Sequence, residues 1–285
     1  MRFRVAACTA LLLLSLRASG AELFYMDHDP VTDEFVGPSG PLVLSGEIIP
    51  GDYDSLLSKI LNDENRFLAQ NKIILASDGG DVGEALKLAR LVKALNTSII
   101  VGPLTGRCVS ACFFIYAAAG QREADGDRLI GINRPYMVAS EAAGSAGSAG
   151  SAGLPAPSPA MFVDNDALTQ VRVFLQDNAV PSYLVGEMFR RPSDDAYWLS
   201  ADDLKNLGYR SPSFNRYLKG KCAWDDTIER EVYAGKRPVD ALKQMLKCRD
   251  RMTQDSARQV LAAAAKEKSM RQAGQARDGA DPKLR

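Results

Sequence analysis

Short apolar runs alternate with helical periodicities through the first half of the chain. Leu42 to Ile49 reads as a strand, and a helix starting at Asp52 or Asp54 places Leu56, Leu57, Ile60 and Leu61 on one face. Lys72-Ile73-Ile74-Leu75-Ala76 has the continuous apolar character of a strand buried on both sides. After the Ser77-Asp78-Gly79-Gly80 turn, Asp81 begins a helix with Glu84 at capping-box spacing. Its apolar stripe is Val82, Ala85, Leu86, Ala89, Val92 and Leu95. Thr97 to Val101 is the next strand, a loop from Gly102 to Gly106 leads into a helix from about Val109 to Ala119, and Leu129 to Ile132 is another strand. Alternation of this kind implies right-handed crossovers and a largely parallel sheet. In such α/β cores, sites collect where strands end and helices begin.

The second half reads differently. Three tandem Ser-Ala-Gly units, Ser145 to Gly153, and the Pro-rich stretch to Pro159 have too little apolar surface to order themselves, so 140–160 is expected to be an exposed, mobile loop. Helical patterns resume over Asp166 to Ala179 and Ser182 to Arg190, and Ser200 caps a short helix closed by Gly208. Beyond Lys221 two helices are expected, Asp225 to Tyr233 and Val239 to Arg249. The segment 251–285 is charged and poor in large apolar residues, which predicts a frayed or disordered tail.

At the other end, Arg2 and Arg4 precede an apolar stretch from Val5 to Leu16 and then the small residues Ala18-Ser19-Gly20-Ala21. This is the pattern of a secretory signal peptide over 1–20, cut after Gly20 or Ala21, and it implies a periplasmic or secreted protein. The apolar stretch is shorter than a spanning helix requires, and no later one is long enough. Loss of Arg2, Arg4 and Arg17 from 35 basic residues leaves 32 against 35 acidic, which gives no basic footprint for nucleic acid. It also leaves Cys108, Cys112, Cys222 and Cys248, an even set in a compartment that permits disulfides. Their spacing favours a 222–248 bridge, with Cys108 and Cys112 either a second bridge or two buried thiols. No histidine lies near them, so neither a metal nor a cofactor is expected.

The candidate chemistry centres on Ser110 in Gly106-Arg107-Cys108-Val109-Ser110-Ala111-Cys112. Acyl transfer by serine needs an exposed hydroxyl, donors for the tetrahedral oxyanion and a base. The sequence places Ser110 at a helix start, makes the Ala111 N–H one donor, and supplies another from Gly79-Gly80, where the missing Cβ allows close approach. The segments Ile73 to Leu95, Leu104 to Gly120, Leu129 to Pro135 and Tyr197 to Tyr209 resemble the Clp protease proteolytic subunit and the wider crotonase-like superfamily, in particular its exported bacterial members. That resemblance implies repeated strand-strand-helix units over 41–215; outside it, the residues themselves read as an irregular lead-in over 21–40 and a helical extension over 216–250. It also implies Ser110 as the nucleophile position and Gly80 and Ala111 as the oxyanion donors.

The departures concern the base. The family histidine precedes a short motif ending in proline, and Ile132-Asn133-Arg134-Pro135 puts Asn133 there. The family aspartate falls at Ala196, with Asp195 and Asp194 adjacent. An asparagine amide cannot accept the serine proton near neutral pH. Lys87 and Lys93 precede the nucleophile strand, no lysine lies between Ser110 and Lys205, and the single histidine, His28, stands in the lead-in. The expectation is a pseudoenzyme of serine-peptidase ancestry that binds a peptide or protein partner. Its alternatives are an active serine peptidase with an unconventional base and a homo-oligomeric scaffold.

Overall fold

The computed structural model describes residues 20–27, 40–102, 106–126, 128–135, 137–138, 161–162 and 165–279. The signal segment up to residue 19, His28 and the Ser-Ala-Gly loop lie outside the described residues. Strands β1 (Glu22–Tyr25) and β2 (Leu42–Ser45) pair antiparallel, and β3 (Lys72–Ala76), β4 (Ser98–Val101) and β6 (Gln121–Ala124) continue the sheet in parallel, in the order β1-β2-β3-β4-β6. Between β2 and β3 run helices α1 (Asp52–Asn62) and α2 (Glu64–Gln70), and α3 (Val82–Ala94) joins β3 to β4. All six residues of the expected α3 stripe are buried.

Asp81 caps α3 by accepting from the Glu84 N–H at 2.6 Å. Glu84 does not complete a capping box on its own helix. Its buried carboxylate instead reaches the start of α1, accepting from the N–H groups of Gly51 at 3.1 Å and Tyr53 at 2.7 Å. The two helices are thereby tied through a single acid.

A second, three-stranded sheet has the order β10-β7-β5, made of β5 (Cys108–Val109), β7 (Ile130–Ile132) and β10 (Tyr197–Trp198). It attaches where β3 runs out, through the parallel bridge Ser77↔Cys108. The helix expected from Val109 is therefore shorter: Cys108 and Val109 form a strand, and α4 (Cys112–Ala118) follows after a turn at Ser110. Every residue of α4 is buried, which is why its sequence is apolar all round. A hairpin of β8 (Met137–Val138) and β9 (Met161–Phe162) precedes α5 (Asn165–Asp177), α6 (Ser182–Arg190) and α7 (Ala201–Leu207).

Arg122 on β6 is buried and has no acidic partner among the described residues. Its guanidinium donates to the carbonyls of Ala117 at 2.8 Å, Leu207 at 2.7 Å and Asn178 at 3.3 Å, at the C-terminal ends of α4, α7 and α5. Those carbonyls carry the negative ends of the helix dipoles and lack partners within their helices. Burial pushes the guanidinium pKa down to about 10, so it remains a cation at neutral pH.

The C-terminal extension consists of α8 (Pro212–Cys222), α9 (Asp226–Tyr233) and α10 (Asp240–Gly279). Phe214, Leu218, Trp224, Leu242 and Met245 form a small core of their own. The Cys222–Cys248 disulfide, with Cα atoms 5.6 Å apart, staples the end of α8 to α10. Cys108 and Cys112 are also bridged. The chain beyond Arg251 is helix through Gly279, and residues 280–285 lie outside the described residues. Thr253, Ala257 and Leu261 recur at four-residue spacing, and the last two are fully buried in the main core. Among the described residues no helix is long and apolar enough to cross a membrane.

Candidate functional site around Ser110

Ser110 occupies the turn between β5 and α4. Its φ of +56° is left-handed, a conformation that costs a non-glycine residue on the order of 1–2 kcal/mol. The surroundings impose it. The Ser110 N–H is held by the Gly131 carbonyl at 3.1 Å, its own carbonyl accepts from Phe113 at 3.0 Å, and the Cys108–Cys112 disulfide closes the loop on both sides. Ser110 is thus not a helix cap. The capping position is Ala111, in helical conformation, and it makes no side-chain cap bond.

Gly79 lies directly against this turn. A Cβ there would sit 2.8 Å from Ser110 Cβ and 3.0 Å from the Ala111 nitrogen, so only glycine fits. Next to it, Ile48 donates to the Gly79 carbonyl at 2.8 Å and accepts from Asp81 at 2.7 Å. Both bonds bypass Gly80. The N–H groups of Gly80 and Ala111 have no hydrogen-bond partner among the described residues, and the Ser110 hydroxyl has none either. Ser110 and the Ala111 N–H therefore sit against the Gly79-Gly80 turn at the junction of the two sheets, and the two glycines line an open cleft of about 710 Å³.

Among the described residues, none of the groups at the base and carboxylate positions bonds to the Ser110 hydroxyl. Asn133 follows β7, whose Gly131 pairs with Val109, so the register carries it to the strand end beside Ser110. It is buried, and its amide nitrogen donates to the Ser193 carbonyl at 2.5 Å while Oδ1 has no partner among the described residues. The antiparallel pairing Tyr197↔Ile132 sets Ala196 opposite Asn133. Asp195 points to Arg191, 2.9 Å away, and Asp194 is exposed. Lys87 donates to Glu84 at 2.9 Å, a bond that raises its pKa, the wrong direction for a base. Lys93, lowered by burial, donates to the Asp177 carbonyl at 3.1 Å.

Three features of the site carry no signal in the sequence. Asp78 and Arg107, 29 positions apart, form an exposed two-point ion pair with a shortest distance of 2.6 Å. Trp198 lies under the guanidinium groups of both Arg107 and Arg128, each 5.8 Å from its ring. Asp203 braces the same strand: it accepts from Tyr197 OH at 3.0 Å, Tyr183 OH at 2.8 Å and the Ser200 N–H and hydroxyl. Burial alone would raise the Asp203 pKa, but these donors outweigh it and hold the carboxyl below its ordinary range.

No family model matches the chain, and no curated protein matches it. Among solved structures, it is similar to a variant of the 1510-N membrane-bound stomatin-specific protease, at 16% identity and a TM-score of 0.38, over 64% of this chain and 83% of that one. A second variant of that protease, in complex with a substrate peptide, gives 14% identity and a TM-score of 0.38 over 63% and 78%. ClpP1 from Listeria monocytogenes gives 16% and 0.36 over 59% and 86%. The fold class expected from the sequence, mixed α/β with a largely parallel sheet and a C-terminal helical extension, is the one observed. At these identities and TM-scores no residue role is carried across.

Proposed function

We propose that this is an exported Clp-protease-like protein of serine-peptidase ancestry in which the Ser110 site binds a peptide or protein partner without cleaving it. The observation that carries the reading is Asn133: where the family places a basic imidazole, an amide stands and is spent on the Ser193 carbonyl. Without a base the hydroxyl stays neutral, and donors plus positioning give at most on the order of a thousandfold over water. The two disulfides support export, because such bridges persist in oxidising compartments.

A fluorophosphonate probe tests the reading. The full chain is expected to label no faster than Ser110→Ala, and strong labelling lost in that variant would overturn it. Asn133→His alone is expected to leave labelling unchanged, because Ala196 rather than a carboxylate stands opposite. Labelling that appears only in Asn133→His combined with Ala196→Asp would locate the loss of chemistry in those two positions.

A second reading, an active serine peptidase with an unconventional base, is favoured by one observation. Ser110 keeps a strained left-handed backbone next to the Ala111 N–H, which has no partner among the described residues, and such strain clusters at working sites. The same labelling experiment decides between the two.

A further inference from the structure

We propose that the cleft takes the free C-terminal carboxylate of a peptide, with Arg128 as the charge that selects it. This rests on the peptide-binding reading above and names the ligand's end. A cleft lined by an unpaired cation is suited to a group whose negative charge is permanent, and a terminal carboxylate is the form in which a peptide offers one.

The cleft is polarised along the strand order. Glu47 follows β2, the Asp78-Gly79-Gly80 turn follows β3, and Arg107 and Arg128 flank β5 and β7 on the far side of β3. Acid and base thus line opposite flanks. Asp78 is already neutralised by Arg107 through two bonds. Arg128 is exposed and has no acidic partner among the described residues; its guanidinium lies 5.8 Å from the Trp198 ring. An unpaired guanidinium lining the cleft, on the flank away from Glu47, offers a carboxylate charge-assisted bonds, which are about twice as strong as neutral ones. The Glu47 flank repels a second acid and so orients the chain, with its anionic end toward Arg128. A carboxamide end would forfeit the charge while keeping nearly the same shape.

The test is fluorescence anisotropy with two fluorescein-labelled octapeptide pools of randomised sequence, one ending in a carboxylate and one in a carboxamide, titrated with the full chain. The acid pool is expected to bind about tenfold tighter, the effect of one charge-assisted bond of about 1.4 kcal/mol. Arg128→Gln should abolish the preference and Arg128→Lys should restore part of it, with unfolding midpoints unchanged because the side chain is exposed. Equal binding of the two pools, or a preference that survives Arg128→Gln, overturns the assignment while leaving peptide binding intact. Failure of both pools to bind overturns the peptide-binding reading and this one with it.

Discussion

At Ser110 the backbone is more informative than the side chain. A hydroxyl in a turn is ordinary, whereas a left-handed serine held by Gly131, Phe113 and a disulfide is a conformation that the surroundings enforce. Glycine adopts that region without penalty and alanine does not. Ser110→Gly is therefore expected to be more stable than Ser110→Ala by about 1 kcal/mol in urea unfolding; equal midpoints would mean that the left-handed state is not populated. Asn133 shows the same economy of space. Its amide bridges the end of β7 to the Ser193 carbonyl, so any side chain that replaces it must either make that bond or leave that part-buried carbonyl without this donor.

Among the elements, Glu84 links two helices that the sequence presents as separate. Burial raises its pKa, but the hydrogen bonds from Tyr53, Lys87 and Gly51 outweigh that and hold it below the ordinary carboxylate range. A depressed carboxyl contributes stability that is present above its unfolded value of about 4.3 and is lost as pH falls through the folded value. Glu84→Gln should thus cost about 1–3 kcal/mol at pH 7 by urea unfolding, and the gap should narrow toward pH 3. A gap that does not change with pH would remove the charge from the account.

The sequence reveals such elements unevenly. β3 and α3 are legible because an apolar run and a helical stripe each report a buried face. β5 is not, since two residues abutting an apolar helix have no periodicity of their own. Gln121-Arg122-Glu123 reads as solvated surface, and its burial becomes intelligible only once three helix ends converge on it. At the site, the glycine pair and Ser110 can be picked out from their order on the strand-helix frame, and Asn133 only through the family resemblance. The ion pair between Asp78 and Arg107 and the stacking on Trp198 are long-range and cannot.

On the scale of the whole molecule, α10 belongs to two cores. Its first turns close the satellite core with Leu242 and Met245, and its middle enters the main core at Ala257 and Leu261. Leu261→Ala is expected to lower stability by about 2–5 kcal/mol in thermal or urea unfolding, and an unchanged midpoint would mean that the helix does not dock. The 222–248 bridge, which closes 26 residues, adds about 3.5 kcal/mol in the chain-entropy account by keeping α8 and α10 together in the unfolded chain.

The Arg122 guanidinium has a consequence for how this molecule assembles. A lone cation in an apolar interior is prohibitive, and each of the three helix ends supplies only part of what offsets it. With any one of α4, α5 or α7 undocked, the cation either keeps water or lacks acceptors, so partly assembled forms gain little. Arg122 thereby acts as a coincidence detector in folding: the dry interior forms when all three helices arrive together, and it opens when any one of them leaves.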